Sequence, residues 1–117
     1  TEARTFLTSM ANDPEKNEER LDVKASAAQA RALRSLGSKP VVIATHSPSY
    51  RMVPGLSEPI AIKLEAATQR MQRGLLSLSS RARQNISKSA GHGLPHEDPS
   101  FVIDNILEAV GMARNER

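Results

Sequence analysis

Two of the three histidines in this chain lie close together in the segment 89–99, which reads SAGHGLPHEDP. An imidazole takes up and releases a proton near neutral pH, so a histidine held in a loop between a strand and a helix is a candidate general base. We assign that role to His92, because it directly follows Gly91 at the end of a predicted strand. We expect His96, beside the predicted start of a helix, to brace that helix or to face solvent.

Two other chemistries fit this segment less well. The two histidines are four residues apart, as zinc ligands on one helix would be, but Gly93 and Pro95 lie between them and disfavour a helix. No third histidine and no cysteine is close in sequence. The glycines also begin a dinucleotide-binding fingerprint, whose third glycine is replaced by His96. We therefore predict no metal and no cofactor, while a loop-bracing role without chemistry stays open for His92.

The composition indicates a chain that is poor in the large side chains from which a core is built. Of its 117 residues only 3% are aromatic, and aromatic side chains carry a large share of the buried area in small domains. We therefore expect a partner chain. The net charge of +3 is spread along the chain, so we do not expect nucleic acid as a partner. No apolar run approaches the roughly 18 residues of a membrane span, and we expect no membrane contact.

Local patterns predict an α/β fold. The apolar, β-branched run at 40–45 favours a strand that is buried on both faces of a parallel sheet, and residues 81–87 favour an edge strand. Helices are predicted from residue 23 to a C-cap at Gly37, from Pro59 onward, and from Pro99 onward with an aspartate as N-cap. The order helix, strand, helix, strand, helix is typical of parallel strands joined by crossover helices.

The apolar periodicity of the two longer helices predicts which faces turn inward. In the helix that begins at Pro59, the predicted inward residues are Ile60, Leu64, Ala67, Met71, Leu75 and Leu78. In the last helix they are Val102 or Ile103, Ile106, Val110 and Ala113. We expect both stripes to lie in the core.

The loop between the first strand and the following helix, residues 46–57, is a candidate wall of a ligand site. In open parallel sheets, ligands bind beyond the carboxyl ends of the strands. The predicted pocket-lining residues are His46, Ser47, Tyr50 and Met52 from this loop, with Gly93 and Leu94 from the loop after the second strand. The alternative for the loop 46–57 is a plain surface connection.

Three motifs resemble, in their order and spacing, the C-terminal third of an α/β-hydrolase. They are LGSKPVVI at 36–43, LSLS at 76–79, and SAGH at 89–92 with Asp98 and Pro99 before a helix. The likeness covers roughly two thirds of the chain, from about residue 31 to residue 110. It implies that the histidine of the third motif, His92, is the base of a catalytic triad, and that the last helix packs back on the sheet.

The same resemblance implies a nucleophile and an acid that this chain does not display. Such enzymes carry the serine in a Gly-x-Ser-x-Gly elbow, and neither Ser47 nor Ser57 lies in such a turn. The implied nucleophile therefore precedes Thr1. Many members of the family place the acid after the strand at 40–45, where this chain has His46. The acid is then either one strand earlier, on the preceding part, or Glu58 in this chain.

The implied protein is a serine hydrolase that cleaves an ester or related acyl bond of a small-molecule substrate. On this interpretation, residues 1–117 are the C-terminal fragment of one α/β-hydrolase domain, with two parallel strands and flanking helices, and residues 1–22 are a tail of the cap or linker region. An N-terminal chain from the same precursor completes the sheet, which fits a sequence that begins at Thr1. The alternative is a non-enzymatic ligand-binding or interaction module with a hydrolase-like fold.

Overall fold

The computed structural model describes residues 4–5, 8–9 and 12–115, so parts of the predicted tail 1–22 lie outside the described residues. The chain forms two compact units, Thr1–Arg34 and Ser35–Arg117. The first contains a short 3-10 helix, Pro14–Lys16, and the helix α1, Val23–Ala32. The second contains the strand β1 (Val41–Thr45), the helix α2 (Glu58–Gly74), a 3-10 turn (Leu75–Leu78), the strand β2 (Ala82–Ile86), the one-turn helix α3 (Leu94–Glu97) and the helix α4 (Pro99–Arg114).

The sheet of the second unit consists of β1 and β2, which run parallel. Val41 pairs with Ala82 at one end and Thr45 with Ile86 at the other, so both strands end at the same edge. A connection between parallel strands must cross over the sheet, and α2 makes that crossover. The prediction of a small α/β fold with two parallel strands and flanking helices is confirmed at this level.

The helix starts follow the local signals in the sequence. The Asp98 carboxylate accepts a hydrogen bond from the Phe101 N–H at 3.2 Å and caps α4 as predicted. Helix α2 begins at Glu58, one residue before the proline taken as its start. The predicted end of α1 was wrong: this helix ends at Ala32, and Gly37, with φ of +64°, lies instead in the turn before β1.

The predicted inward faces of α2 and α4 were wrong for most of their residues, although Ala67, Leu78 and Val102 are half-buried. Ile60, Met71 and Ile106 expose 56%, 68% and 57% of their surface. The buried residues are instead Ala61, Glu65 and Thr68 on α2 and Asn105 on α4. The Asn85 side-chain amide of β2, for example, donates to Asn105 Oδ1 at 2.9 Å and to Glu108 Oε2 at 2.7 Å. Small and polar side chains therefore meet the sheet, and the apolar stripes face away from it.

The core of this unit is small. Among the described residues, the buried apolar ones are Ile43, Ala61 and Ala90. Strand β1 buries Ile43 and Thr45 and leaves the residues between and before them half-buried, so it is less enclosed than its apolar run predicted.

Within the part of the chain that the structure describes, no helix has the length and the apolar character that crossing a bilayer requires.

Candidate functional site

The loops that follow the two strands are joined to each other at the carboxyl edge of the sheet. The Ser47 N–H donates to the Ala90 carbonyl at 2.8 Å, and the Ser47 hydroxyl donates to the Lys88 carbonyl at 3.1 Å. The Ser47 hydroxyl also lies 2.8 Å from that of Ser49. Ser47 is only 2% exposed. Its hydroxyl therefore holds two loops together and does not face a substrate.

His92 follows this junction in the chain, two residues after Ala90. It is exposed, whereas Ala90 and Gly91 before it are buried. Among the described residues, no hydrogen bond or ion pair engages the His92 imidazole. An accessible imidazole on a buried backbone is free to exchange protons with a ligand. The structure thus places this residue where the sequence predicted it, after β2 at the carboxyl edge.

The segment before His92 is tied to the start of α4. The Ser87 hydroxyl donates to Asp98 Oδ2 at 3.1 Å and accepts the Ala90 N–H at 3.0 Å. Ser87 is 1% exposed, so these bonds are shielded from water. One aspartate thereby caps α4 and fixes the end of β2, which sets the direction in which the chain leaves the sheet.

A second histidine at the same edge is bound by a carboxylate. His46 Nε2 lies 2.8 Å from Glu65 Oε1, and the two side chains are 14% and 5% exposed. The Gln69 amide donates to the same carboxylate oxygen at 2.7 Å and to the His46 carbonyl at 3.1 Å. The other oxygen, Glu65 Oε2, is buried without a hydrogen-bond partner among the described residues.

The sequence interpretation included His46 as a pocket-lining residue and missed Glu65. The sequence did contain a signal for Glu65. Ala61, Glu65 and Thr68 have the spacing of one helix face. A glutamate between small residues on such a face is rarely left without a partner. What the sequence could not supply was the partner, because His46 lies 19 residues away and reaches α2 only through the tertiary fold.

Glu58, the acid proposed within this chain, is paired with an arginine. The Arg51 guanidinium donates to Glu58 Oε1 from Nη2 at 2.8 Å and from Nε at 3.2 Å. This hydrogen bond and the positive charge of Arg51 lower the pKa of Glu58, and the same pairing raises the pKa of Arg51. Among the described residues, no hydrogen bond or ion pair joins Glu58 to His92.

The remaining predicted residues flank the loop junction in different ways. The Tyr50 ring packs edge-on against the His46 ring, with 5.1 Å between their centroids. Met52 is 46% exposed. Gly93 and Leu94 are half-buried at the start of α3. This one-turn helix contains Pro95 and His96 but begins after His92, so the two histidines do not share a helix.

A cavity of about 160 Å³ opens beside the buried pair, between the loop after β1 and α2. It is lined by Pro48, Arg51, Ile62, Glu65, Ala66 and Gln69. None of the six residues predicted to line a pocket is among them.

Within the described residues, no group of three or more histidine, aspartate or glutamate side chains has the geometry to hold a metal ion.

Comparison with known proteins gives no match. No family model, no curated protein and no solved structure matches this chain.

Proposed function

We propose that this chain is the histidine-bearing part of an α/β-hydrolase-type serine hydrolase, which cleaves ester or related acyl bonds. The observation that supports the proposal most directly is the placement of His92. It is an accessible imidazole at the carboxyl end of the second of two parallel strands, joined through its loop to the end of the first. Ligand sites in open parallel sheets lie at this edge.

In this mechanism His92 acts as the general base and then as the general acid. It takes the proton of an attacking serine hydroxyl and gives it to the leaving alkoxide as the acyl-serine forms. It then takes a proton from the water that attacks the acyl group, and returns that proton to the serine. A carboxylate that hydrogen-bonds the other ring nitrogen would hold the tautomer that this sequence of transfers needs.

The nucleophile and this carboxylate belong, in our proposal, to an N-terminal chain that completes the sheet. The small core and the outward apolar stripes of α2 and α4 support such a partner. The exposed apolar residues of α4 include Ile103, Ile106, Leu107 and Val110, which share one face of the helix. A contiguous apolar patch of this kind is typical of a protein interface. A two-stranded parallel sheet is also too small to be stable alone.

The first test uses the complete protein and a fluorophosphonate probe. We expect the probe to label a serine outside residues 1–117, and the label to be lost in His92→Ala. His96→Ala is the matched control, because His96 is the other exposed histidine of the segment 89–99, and it should keep the label. Labelling that persists in His92→Ala contradicts the proposed role of His92. Ligand binding without labelling in any variant favours the non-enzymatic module.

The second test concerns the partner. We expect the isolated chain to lack a cooperative thermal transition, because so few apolar residues are buried in it. Circular dichroism and amide resonance dispersion measure this directly. A sharp transition with well-dispersed resonances from residues 1–117 alone would show that no partner chain is required.

A further inference from the structure

Gly91, the residue before His92, is enclosed by two side chains. A Cβ atom built on Gly91 would lie 2.7 Å from Tyr50 Cδ2 and 3.4 Å from Glu97 Oε2. The first distance is shorter than real side chains tolerate. Among the described residues, only Gly37 and Gly55 are glycines with positive φ. Glycine is therefore needed at position 91 because side chains approach it closely, and not because its backbone has a positive φ.

Glu97 holds one side of this loop. Its Oε2 atom accepts the Gly91 N–H at 2.9 Å and also lies 3.4 Å from the position of a Cβ on Gly93. One carboxylate oxygen thus hydrogen-bonds to Gly91 and lies near Gly93, the residues on either side of His92. Glu97 is itself fixed, because its N–H donates to the Gly93 carbonyl at 2.9 Å and closes the single turn of α3. A hydrogen bond to a charged acceptor is stronger than one between neutral groups.

Tyr50 approaches the same residue. Its ring lies close to Gly91 and also meets the His46 ring edge-on, at an interplanar angle of 71°. His46 is in turn fixed by its hydrogen bond to Glu65. The Tyr50 N–H donates to the Ser47 carbonyl at 3.0 Å, which ties the residue to the loop junction. These contacts hold the ring beside Gly91.

We propose that Tyr50 and Glu97 are positioning residues that clamp Gly91 and so hold the His92 imidazole over the carboxyl edge of the sheet. This inference rests on the proposed role of His92 as the base. Neither residue needs to touch the substrate. Because no side-chain hydrogen bond within the described residues fixes the imidazole, its position depends on the backbone that carries it. An error of about 1 Å in such a position costs up to about 100-fold in rate.

The test compares, in the complete protein, variants that remove each contact with variants that keep it. Glu97→Ala removes the acceptor for the Gly91 N–H, whereas Glu97→Gln keeps an oxygen there. Tyr50→Ala removes the ring, whereas Tyr50→Phe keeps it. With p-nitrophenyl acetate as substrate, we expect both alanine variants to lower kcat about 10- to 100-fold with KM nearly unchanged. Both conservative variants should retain most of the activity.

If either alanine variant keeps the wild-type kcat, that residue is not part of the clamp. If Glu97→Gln lowers kcat as much as Glu97→Ala does, the hydrogen bond to the Gly91 N–H is not what matters, and the clamp is overturned for Glu97. If the protein hydrolyses no ester, that result contradicts the proposed function and not the clamp. Hydrogen exchange then tests the clamp separately. Amide hydrogen exchange at Gly91 should be faster by about tenfold in Glu97→Ala than in wild type. Unchanged exchange overturns the clamp whatever the activity.

Discussion

His46 and His92 occupy comparable places, each in the loop that follows a parallel strand, yet their surroundings are opposite. His46 is largely buried and its ring is bound to Glu65 at 2.8 Å. His92 is exposed and, within the described residues, its ring is unbound. The His46 ring is the hydrogen-bond partner of a buried carboxylate, so its role is structural. An accessible ring such as that of His92 can transfer protons to and from a ligand. The difference separates a structural histidine from a candidate catalytic one, although the sequence shows both as loop histidines.

The largest expected effect is on catalysis at His92. In the complete protein, His92→Ala should lower kcat by about three orders of magnitude or more, because a triad without its base loses proton transfer. The free energy of unfolding should change by no more than about 1 to 2 kcal/mol, since an exposed side chain contributes little packing. Steady-state kinetics and denaturant unfolding measure the two quantities.

The control for this prediction is His96→Ala, which should reduce kcat by less than about tenfold. If His96→Ala were inactive and His92→Ala near wild type, the base would have been assigned to the wrong imidazole.

The second effect is on stability at His46. Replacing His46 with alanine leaves the buried Glu65 carboxylate with Gln69 as its remaining hydrogen-bond partner among the described residues. Removing one partner of a buried polar pair is costly, and we expect a loss of about 2 to 4 kcal/mol in the free energy of unfolding. Chemical denaturation of the complete protein measures it. A loss of less than about 0.5 kcal/mol would show that the pair does not stabilise this edge of the sheet.

A smaller difference should appear in chemical accessibility. Diethyl pyrocarbonate should modify His92 at least about tenfold faster than His46, because modification of a buried ring requires a local opening that costs free energy. Peptide mass spectrometry resolves the two sites, since they lie 46 residues apart in the chain. The ratio should fall towards one in Glu65→Ala, where the His46 ring loses its partner. Equal rates in the wild type would remove the contrast between the two histidines.

Short-range signals account for what the sequence predicted well. Asp98 and Pro99 define the start of α4 through local capping chemistry, and the β-branched run defines β1. The helix faces were predicted wrongly because periodicity shows which residues share a face and not what that face meets. Ile106 and Ile60 belong to real stripes, but those stripes point away from the two strands present here.

The candidate site likewise contains a residue that local sequence signals predict and contacts that they do not. The position of His92 after β2 was predictable, because Gly91 and the following helix start mark its loop. The bond between His46 and Glu65 and the approach of Tyr50 to Gly91 join residues that are 19 and 41 positions apart in sequence. Such contacts exist only after the strands have paired, and no local pattern specifies them.

The smallest expected effect concerns Glu58, the carboxylate that the sequence analysis names as the alternative triad acid within this chain. Its exposed side chain is bound to Arg51, and this pairing lowers its pKa. For a carboxyl group with a lowered pKa, any stabilisation is present above the unfolded pKa and is lost as the pH falls through the folded pKa. Solvent and salt screen an exposed pair, so we expect Glu58→Gln to leave both stability near neutral pH and kcat almost unchanged.

A test of this expectation also tests where the acid lies. If Glu58 oriented His92, its replacement by glutamine would lower kcat by about 10⁴-fold, as the loss of a triad acid does. A change of less than about threefold places the acid outside this pair, in agreement with an acid on the N-terminal chain. Arg51→Gln is the matched control, because it breaks the same ion pair while leaving the carboxylate in place. A large loss in Glu58→Gln with none in Arg51→Gln would identify Glu58 as the acid and would require its side chain to leave Arg51 during catalysis.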